Sequence, residues 1–388
     1  MLAILLSLQQ PPNGATPNSF FRAIIITMIV LKKFDKYLKD IRPKDKIAIL
    51  HDTDPDGICS ALITVKALER LKNTKKILRK PLFEKKITKR LRDILDKKNI
   101  TKLIVLDISL DQNIKDLEKI SKKIDILILD HHKIYLKKKI KNVLLIKPQL
   151  ISKIQGHEYC TSKLAYDLFS KHVDLKDLDW VSAIASIADI AYKPWQDWLK
   201  QVFKKYRIRM KRDLFKTKLG QIATMISSAE VSAKKNIKKC YEVLYKAKTP
   251  EDVFTKDLKR IKKNVDKELK RLIKNFRKAE RHNSLYIYEI RSKIEGIKSP
   301  LSTILGLKYP HKTIVIISKI KSKAKISARR GDKEVAVNSL LEAAVRGLPE
   351  SNAGGHTPSA GATIRARDYP KFKKKLIEEY NKLKKRNL

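Results

Sequence analysis

Acidic residues are in short supply: against Lys+Arg 88 the chain sets Asp+Glu 41, a formal net charge of +47 over 388 residues. A monomer this basic lives at high ionic strength or meets a polyanion, and nucleic acid is the first candidate. A Lys- and Ile-rich composition also arises from an AT-rich genome and a hot habitat, but ion-pair networks need acids in proportion, and these are lacking. Cysteine is sparse too. Cys59, Cys160 and Cys240 are widely spaced and form no CxxC pair, which offers neither a disulfide framework nor a zinc knuckle and marks them as small core residues in a reducing compartment. Long apolar runs are missing. Residues 1–8 and 20–31, the second interrupted by Arg22, are each too short to span a bilayer, and the first has no basic residue to open a signal peptide. The expectation is a cytoplasmic protein with no membrane association.

What is present argues for a folded chain. Hydrophobic residues at 43% beside charged residues at 33% exclude simple disorder, and the length suits two or three domains. The run from Met28 passes directly into an amphipathic helix. Translation from Met28 is therefore expected, with residues 1–30 a disordered leader or a mis-annotated start.

Between residues 46 and 148 apolar runs at 46–50, 103–106, 126–129 and 143–146 alternate with helical patterns at 60–71, 84–95 and 114–120. That alternation predicts an α/β domain with a parallel sheet, whose ligands gather beyond the carboxyl ends of the strands. A helical, Lys-rich stretch follows from about 160 to 279. Residues 191–280 hold 27 Lys+Arg against 10 Asp+Glu, a surplus of 17 that fits a groove wall for a phosphate backbone. From about 284, strand patterns at 285–290, 313–317 and 324–327, a glycine-rich passage and a basic helix at 370–385 predict a smaller α/β module.

The first apolar strand ends in His51-Asp52-Thr53-Asp54-Pro55-Asp56-Gly57. Carboxylates at alternate positions of an extended loop point at one spot, as a hard divalent cation requires. An EF-hand shares this opening but needs Glu at the twelfth position from Asp52, where Ile63 stands. The next strand ends in Asp107 and the third in Asp130-His131-His132. Three strand ends deliver ligands to one sheet edge, and mixed imidazole and carboxylate suits manganese or iron over calcium, with magnesium as a substitute. A carboxylate shared by two ions would make a two-metal phosphoesterase.

At these residues the sequence resembles the DHH phosphoesterase superfamily, and within it the archaeal RecJ-like exonucleases. The motifs are Asp52-Thr53-Asp54-Pro55-Asp56-Gly57, Asp107 in Val105-Leu106-Asp107-Ile108-Ser109, Asp130-His131-His132, and Asp189 in Ser186-Ile187-Ala188-Asp189-Ile190. The C-terminal module resembles the DHH-associated domain through Gly354-Gly355-His356-Thr357-Pro358-Ser359-Ala360-Gly361. The resemblance implies a DHH catalytic domain at 31–195, a basic helical connector at 196–283 and a substrate-binding domain at 284–388, with the active-site cleft between the catalytic and substrate-binding domains. It further implies two divalent ions, Mn2+ preferred, one held by Asp54 and Asp107 and the other by Asp56, Asp107, His131 and Asp189. Asp107 would be the bridge. His132 would face the scissile phosphate, oriented by Asp130. Gly354, Gly355, His356 and Arg329 would hold a substrate phosphate. Many family members place a metal-binding histidine where Leu50 stands here, so Asp52 or His51 must substitute, and Asp52 is the choice. The function implied is exonucleolytic hydrolysis of single-stranded DNA or RNA, with replication or repair proteins as candidate partners. The alternatives are an oligoribonuclease or a cyclic or linear dinucleotide phosphodiesterase, and a non-catalytic replication scaffold.

Overall fold

The computed structural model describes residues 17–72, 77–84, 86–136 and 138–386, and the chain divides into two compact units. One runs to Ser227 and includes Ile237–Thr255; the other comprises Ser228–Asn236 and everything from Lys256. The expected leader is helical where it is described, since Pro17–Lys39 is one helix; residues 1–16 lie outside the described residues. Among the described residues no helix is long and apolar enough to cross a membrane.

The first unit is built on a five-stranded, all-parallel sheet in the order β2-β1-β3-β4-β5, with β1 Ile47–His51, β2 Ile77–Pro81, β3 Lys102–Leu106, β4 Asp125–Leu129 and β5 Val143–Ile146. Helices Pro55–Lys72, Lys89–Lys97 and Ile114–Ile120 join β1 to β2, β2 to β3 and β3 to β4, while β4 passes to β5 with no helix among the described residues. The central strands β1 and β3 are buried along their whole length, which is why they read as unbroken apolar runs. Strand β2 has no counterpart in the sequence expectations. It lies at the sheet edge, half-buried, and carries Arg79, Lys80 and Pro81, residues that only an edge tolerates. Strand order reverses between β1 and β3, so the crevice expected to hold ligands opens beyond His51 and Leu106. The helix expected from residue 84 starts at Lys89, where the Thr88 hydroxyl accepts the Leu91 amide at 3.2 Å as an N-cap. Helices Thr161–Phe169 and Asp179–Ala188 complete the packing around the Pro55–Lys72 helix. Cys59, Cys160 and Cys240 are buried and unbridged.

The second unit holds a six-stranded sheet in the order β10-β11-β9-β8-β7-β6, from β6 Glu280–His282, β7 Leu285–Ile290, β8 Thr313–Ile320, β9 Lys323–Arg329, β10 Asn352–His356 and β11 Ser359–Arg365. Only β7 and β8 pair in parallel. Strict alternation sorts its residues: Leu285, Ile287, Val315, Ile317, Ala324, Ile326 and Ala328 pack beneath helices Val337–Val345 and Tyr369–Arg386. Tyr288, Ile290, Ile314 and Ile316 pack on the opposite face beneath helices Lys256–Asn275 and Lys298–Lys308. The glycine-rich passage forms the hairpin β10–β11, which closes the sheet at one edge.

Candidate metal centre

The loop after β1 supplies three aspartates through one helix start. Asp54 caps the Pro55–Lys72 helix, its Oδ1 accepting the Gly57 amide at 2.8 Å, and Pro55 takes the first helical position. Gly57 is required there: a Cβ would lie 2.5 Å from the Asp52 carbonyl oxygen. Asp56 points inward and is fully buried, and it lies at the N-terminus of the Thr161–Phe169 helix. The Thr161 and Ser162 amides each donate to one of its oxygens at 2.7 Å, so its orientation is fixed by orphan helix donors. Asp52, also buried, accepts the Thr53 amide at 2.6 Å.

Asp107 follows β3 with φ +60°, a left-handed conformation that Asp tolerates better than most residues. The turn directs the carboxylate back over the strand ends, where the Thr161 hydroxyl donates to it at 3.2 Å. His131 follows β4. Its Nδ1–H donates to the Gly156 carbonyl at 3.1 Å, which leaves the Nε2 lone pair aimed at the carboxylates, 3.4 Å from Asp107 Oδ1 and 3.7 Å from Asp189 Oδ2. His132 Nδ1–H donates to Asp130 at 2.6 Å. Asp130 is fully buried, accepts the Ser109 hydroxyl at 3.3 Å and pairs with Lys147 at 2.7 Å. Asp189 is the C-cap residue of the Asp179–Ala188 helix.

Three groups of ligand atoms therefore converge: Asp52, Asp54 and Asp107; Asp56, His131 and Asp189; and Asp107, His131 and His132, the atoms of each group within 4.8 Å of one another. These clusters can hold metal. Burial pushes the Asp107 carboxyl well above the usual carboxylate range, and the charges of Asp56, Asp54, Asp189 and Asp52 push it further. Asp56 is raised as well, since its burial outweighs the imidazole and the two amide donors. His131 is lowered, chiefly by burial, which keeps its ring neutral and its lone pair available. Asp130 is the exception: burial raises it, but the His132 hydrogen bond and Lys147 together hold it below its ordinary value. Hard carboxylate oxygens with one neutral imidazole are the donor set of a divalent cation, and without one the gathered charges repel.

His51 is not available as a ligand, because both ring nitrogens are engaged. Nδ1 lies 2.5 Å from the Asp52 carbonyl and Nε2 lies 2.6 Å from the Arg79 guanidinium, which stacks on Tyr241 at 3.6 Å. Leu50 is fully buried in the apolar core, so Asp52 is the residue beside Asp54 and Asp107. The sequence reading missed Lys147, Thr161, Ser162 and Gly156. Lys147 alone left a signal: it directly follows β5, at the edge where other strands end in Asp and His. Gly156 matters through its size. A Cβ there would lie 2.3 Å from the His131 carbonyl and 2.5 Å from Gln149 Nε2. Gly156→Ala is expected to swing His131 off the cluster and weaken Mn2+ binding about 10–100-fold, read by calorimetric titration; wild-type affinity would refute it.

In the second unit, Arg329, Gly354, Gly355 and His356 are brought together by strand register. Arg329 pairs with Ser359, which pairs with His356, and Gly354 stands opposite Gly361. Gly355 has φ +141°, and a Cβ on it would meet the Ser359 carbonyl at 2.5 Å.

Residues 46–193 match the DHH family, N-terminal domain, and residues 295–382 match the DHHA1 domain. Among solved structures, RecJ from Thermus thermophilus in complex with Mn2+ superposes with a TM-score of 0.68 at 16% identity, over 95% of this chain and 55% of that one. This chain thus spans about half the length of the Thermus protein. An exonuclease RecJ bound to manganese superposes with a TM-score of 0.69 at 16% identity, over 90% and 93%. CDC45 from Entamoeba histolytica superposes with a TM-score of 0.58 at 10% identity, over 92% and 99%. At these identities the likeness is one of fold. No curated protein matches the sequence.

Proposed function

Because the chain belongs to the DHH phosphoesterase superfamily and has a RecJ-like fold, we propose that it is a metal-dependent exonuclease that hydrolyses single-stranded DNA or RNA. The observation that carries this reading is the position of Asp107, shared between a carboxylate group on one side and an imidazole group on the other. Asp52, Asp54 and Asp107 would hold one divalent ion, and Asp56, Asp107, His131 and Asp189 the second, with Mn2+ preferred and Mg2+ as a substitute. Bound ions would lower the pKa of water and counter the charge on phosphoryl oxygens. The chain's own groups do the rest. Thr161 and Ser162 fix Asp56, and Gly156 fixes the His131 tautomer. Asp130, kept anionic beside Lys147, holds the half-exposed His132 ring where it can donate a proton to a leaving oxygen.

The net charge of +47 supports a long polyanionic substrate, because a small dianion needs no such surplus. A scaffold without catalysis would have no need to keep Asp54, Asp56, Asp107, His131 and Asp189 together. A cytoplasmic setting and docking on replication or repair proteins belong to the same proposal. The test is a product time course with Mn2+ on end-labelled single-stranded DNA, single-stranded RNA and a dinucleotide, with His131→Ala alongside. Stepwise mononucleotide release from long strands, lost in the variant, is expected. Cleavage of the dinucleotide alone would turn the assignment to a small-substrate phosphodiesterase, and no cleavage at all would turn it to the scaffold.

A further inference from the structure

The face of the second sheet that carries Arg329 is graded from apolar to polar, and strand register lays it out in three rows. The first runs Tyr286, Ile314, Arg329, Ser359, His356; the second Tyr288, Ile316, Ser327, Gly361, Gly354; the third Ile290, Ser318, Lys325, Thr363, Asn352. Helices cover the apolar half, while Asn352, Gly354 and His356 at the edge are exposed. Cations mark both ends of the polar half, Arg329 in the first row and Lys325 in the third.

Lys325 has a second lysine beside it. The Lys298–Lys308 helix crosses β9 with its Ser302 hydroxyl 2.9 Å from the Ser327 hydroxyl and with Gly306 against Arg329, where a Cβ would lie 2.9 Å from the arginine Cβ. One helical turn before Ser302 and two strand positions before Ser327 stand Lys298 and Lys325, on the same helix side and the same strand face. Burial holds the Lys298 ammonium below its ordinary value and the Lys325 charge lowers it further. At the other end the Arg329 Nε is buried with no hydrogen-bond partner among the described residues. Between the two ends the middle row is flat: a Cβ on Gly354 would meet nothing within 4 Å, and one on Gly361 would meet only the Ile326 carbonyl at 3.6 Å.

We propose that Lys298 and Lys325, with Thr363 and Asn352 beside them, form a second phosphate subsite, so that this face takes an oligonucleotide by two separated phosphates rather than by one terminal phosphate. Arg329 and Lys325 stand four residues apart on one strand, about 13 Å at strand rise, so side chains standing off the sheet at the two positions meet two phosphates better than one. A ligand that reaches both spans the glycine row, on which a sugar or base ring can lie. Like-charged lysines side by side are costly in isolation and stabilising around a phosphate dianion or diester. This inference rests on the phosphodiesterase reading and adds a length requirement to it.

The test uses the full chain in EDTA, so that nothing is hydrolysed, and measures binding of single-stranded oligonucleotides of two and five residues across a salt series. Wild type is expected to bind the pentamer well above the dimer. Lys298→Gln with Lys325→Gln is expected to weaken the pentamer roughly tenfold and to flatten the log–log salt slope by about 0.7, the one phosphate that the lysine pair neutralises. Lys298→Arg with Lys325→Arg, which keeps both charges, should restore affinity and slope and so separates the charge from any folding defect. If the Gln variant matches wild type in affinity and slope, the subsite is overturned while the phosphodiesterase reading stands. If wild type binds neither oligonucleotide and cleaves neither with Mn2+, both fall.

Discussion

Asp107→Asn is expected to raise the melting temperature of the metal-free protein while abolishing its metal-dependent hydrolysis. Asp107 is buried among Asp52, Asp54, Asp56 and Asp189, and in the absence of a cation its charge is repelled by all four. An amide of the same shape keeps the Thr161 hydroxyl contact and removes the repulsion, worth about 2–4 °C for each kcal/mol relieved in a domain of this size. Activity moves the other way. The residue shared by two ligand groups is lost, and charge stabilisation of several kcal/mol at the phosphoryl group corresponds to roughly a thousandfold in rate. Mn2+ should raise the melting temperature of wild type and leave that of the variant nearly unchanged.

The sign of the pH dependence follows from the raised carboxyls. Asp107 and Asp56 bind protons more tightly folded than unfolded, so their own contribution to metal-free stability is greatest in acid. It falls as pH rises from the ordinary carboxylate value through the raised folded values. The melting-temperature gain from Mn2+ should therefore grow across that window. A metal-free Asp107→Asn protein that melts below wild type at neutral pH would refute the repulsion argument.

Lys147→Met is expected to be the most destabilising single change at the site. Lys147 is fully buried, with its ammonium 2.7 Å from Asp130, 3.1 Å from Asp111 and 2.7 Å from the Lys133 carbonyl. Removing one side of a buried ion pair leaves charge without compensation, at about 3–5 kcal/mol, which corresponds to a fall of about 10 °C. Asp111 also accepts the Tyr135 amide at 2.8 Å, so the loop after His132 is tied to the same lysine. Adding Asp111→Asn to Lys147→Met removes one stranded charge and should recover part of the loss. Thermal melts within 2 °C of wild type would show that Lys147 carries no such burden.

Much of the first sheet was legible because the central parallel strands β1, β3 and β4 are buried on both faces and the edge strand β5, half-buried, is still wholly apolar in Val143-Leu144-Leu145-Ile146. The runs at 46–50, 103–106, 126–129 and 143–146 each coincide with a strand to within a residue. Strand β2 was not legible, since edge position allows Arg79 and Lys80 where a central strand would have apolar residues. The hairpin β10–β11 was hidden for a different reason. Its glycines and alanines have little strand propensity and pair because β9 offers them an edge. At the site, the aspartates and histidines were visible because they directly follow apolar runs. Thr161 and Ser162 were not, because both hold Asp56 through backbone amides, which any residue type supplies, and the Thr161 hydroxyl reaches Asp107 from 54 positions away.

The separation of these groups along the chain governs when a cation can bind. Asp56 takes its donors from 105 and 106 positions away, and Asp107 takes a hydroxyl from 54 away. An unfolded chain offers only short local segments, Asp52-Thr53-Asp54-Pro55-Asp56 and Asp130-His131-His132, each a weak chelate, so the ion is not expected to act as a folding nucleus. The slow, non-local closure of β1, β3 and β4 must come first, and capture of the metal follows it. In a refolding experiment, Mn2+ should leave the folding rate unchanged and slow unfolding alone.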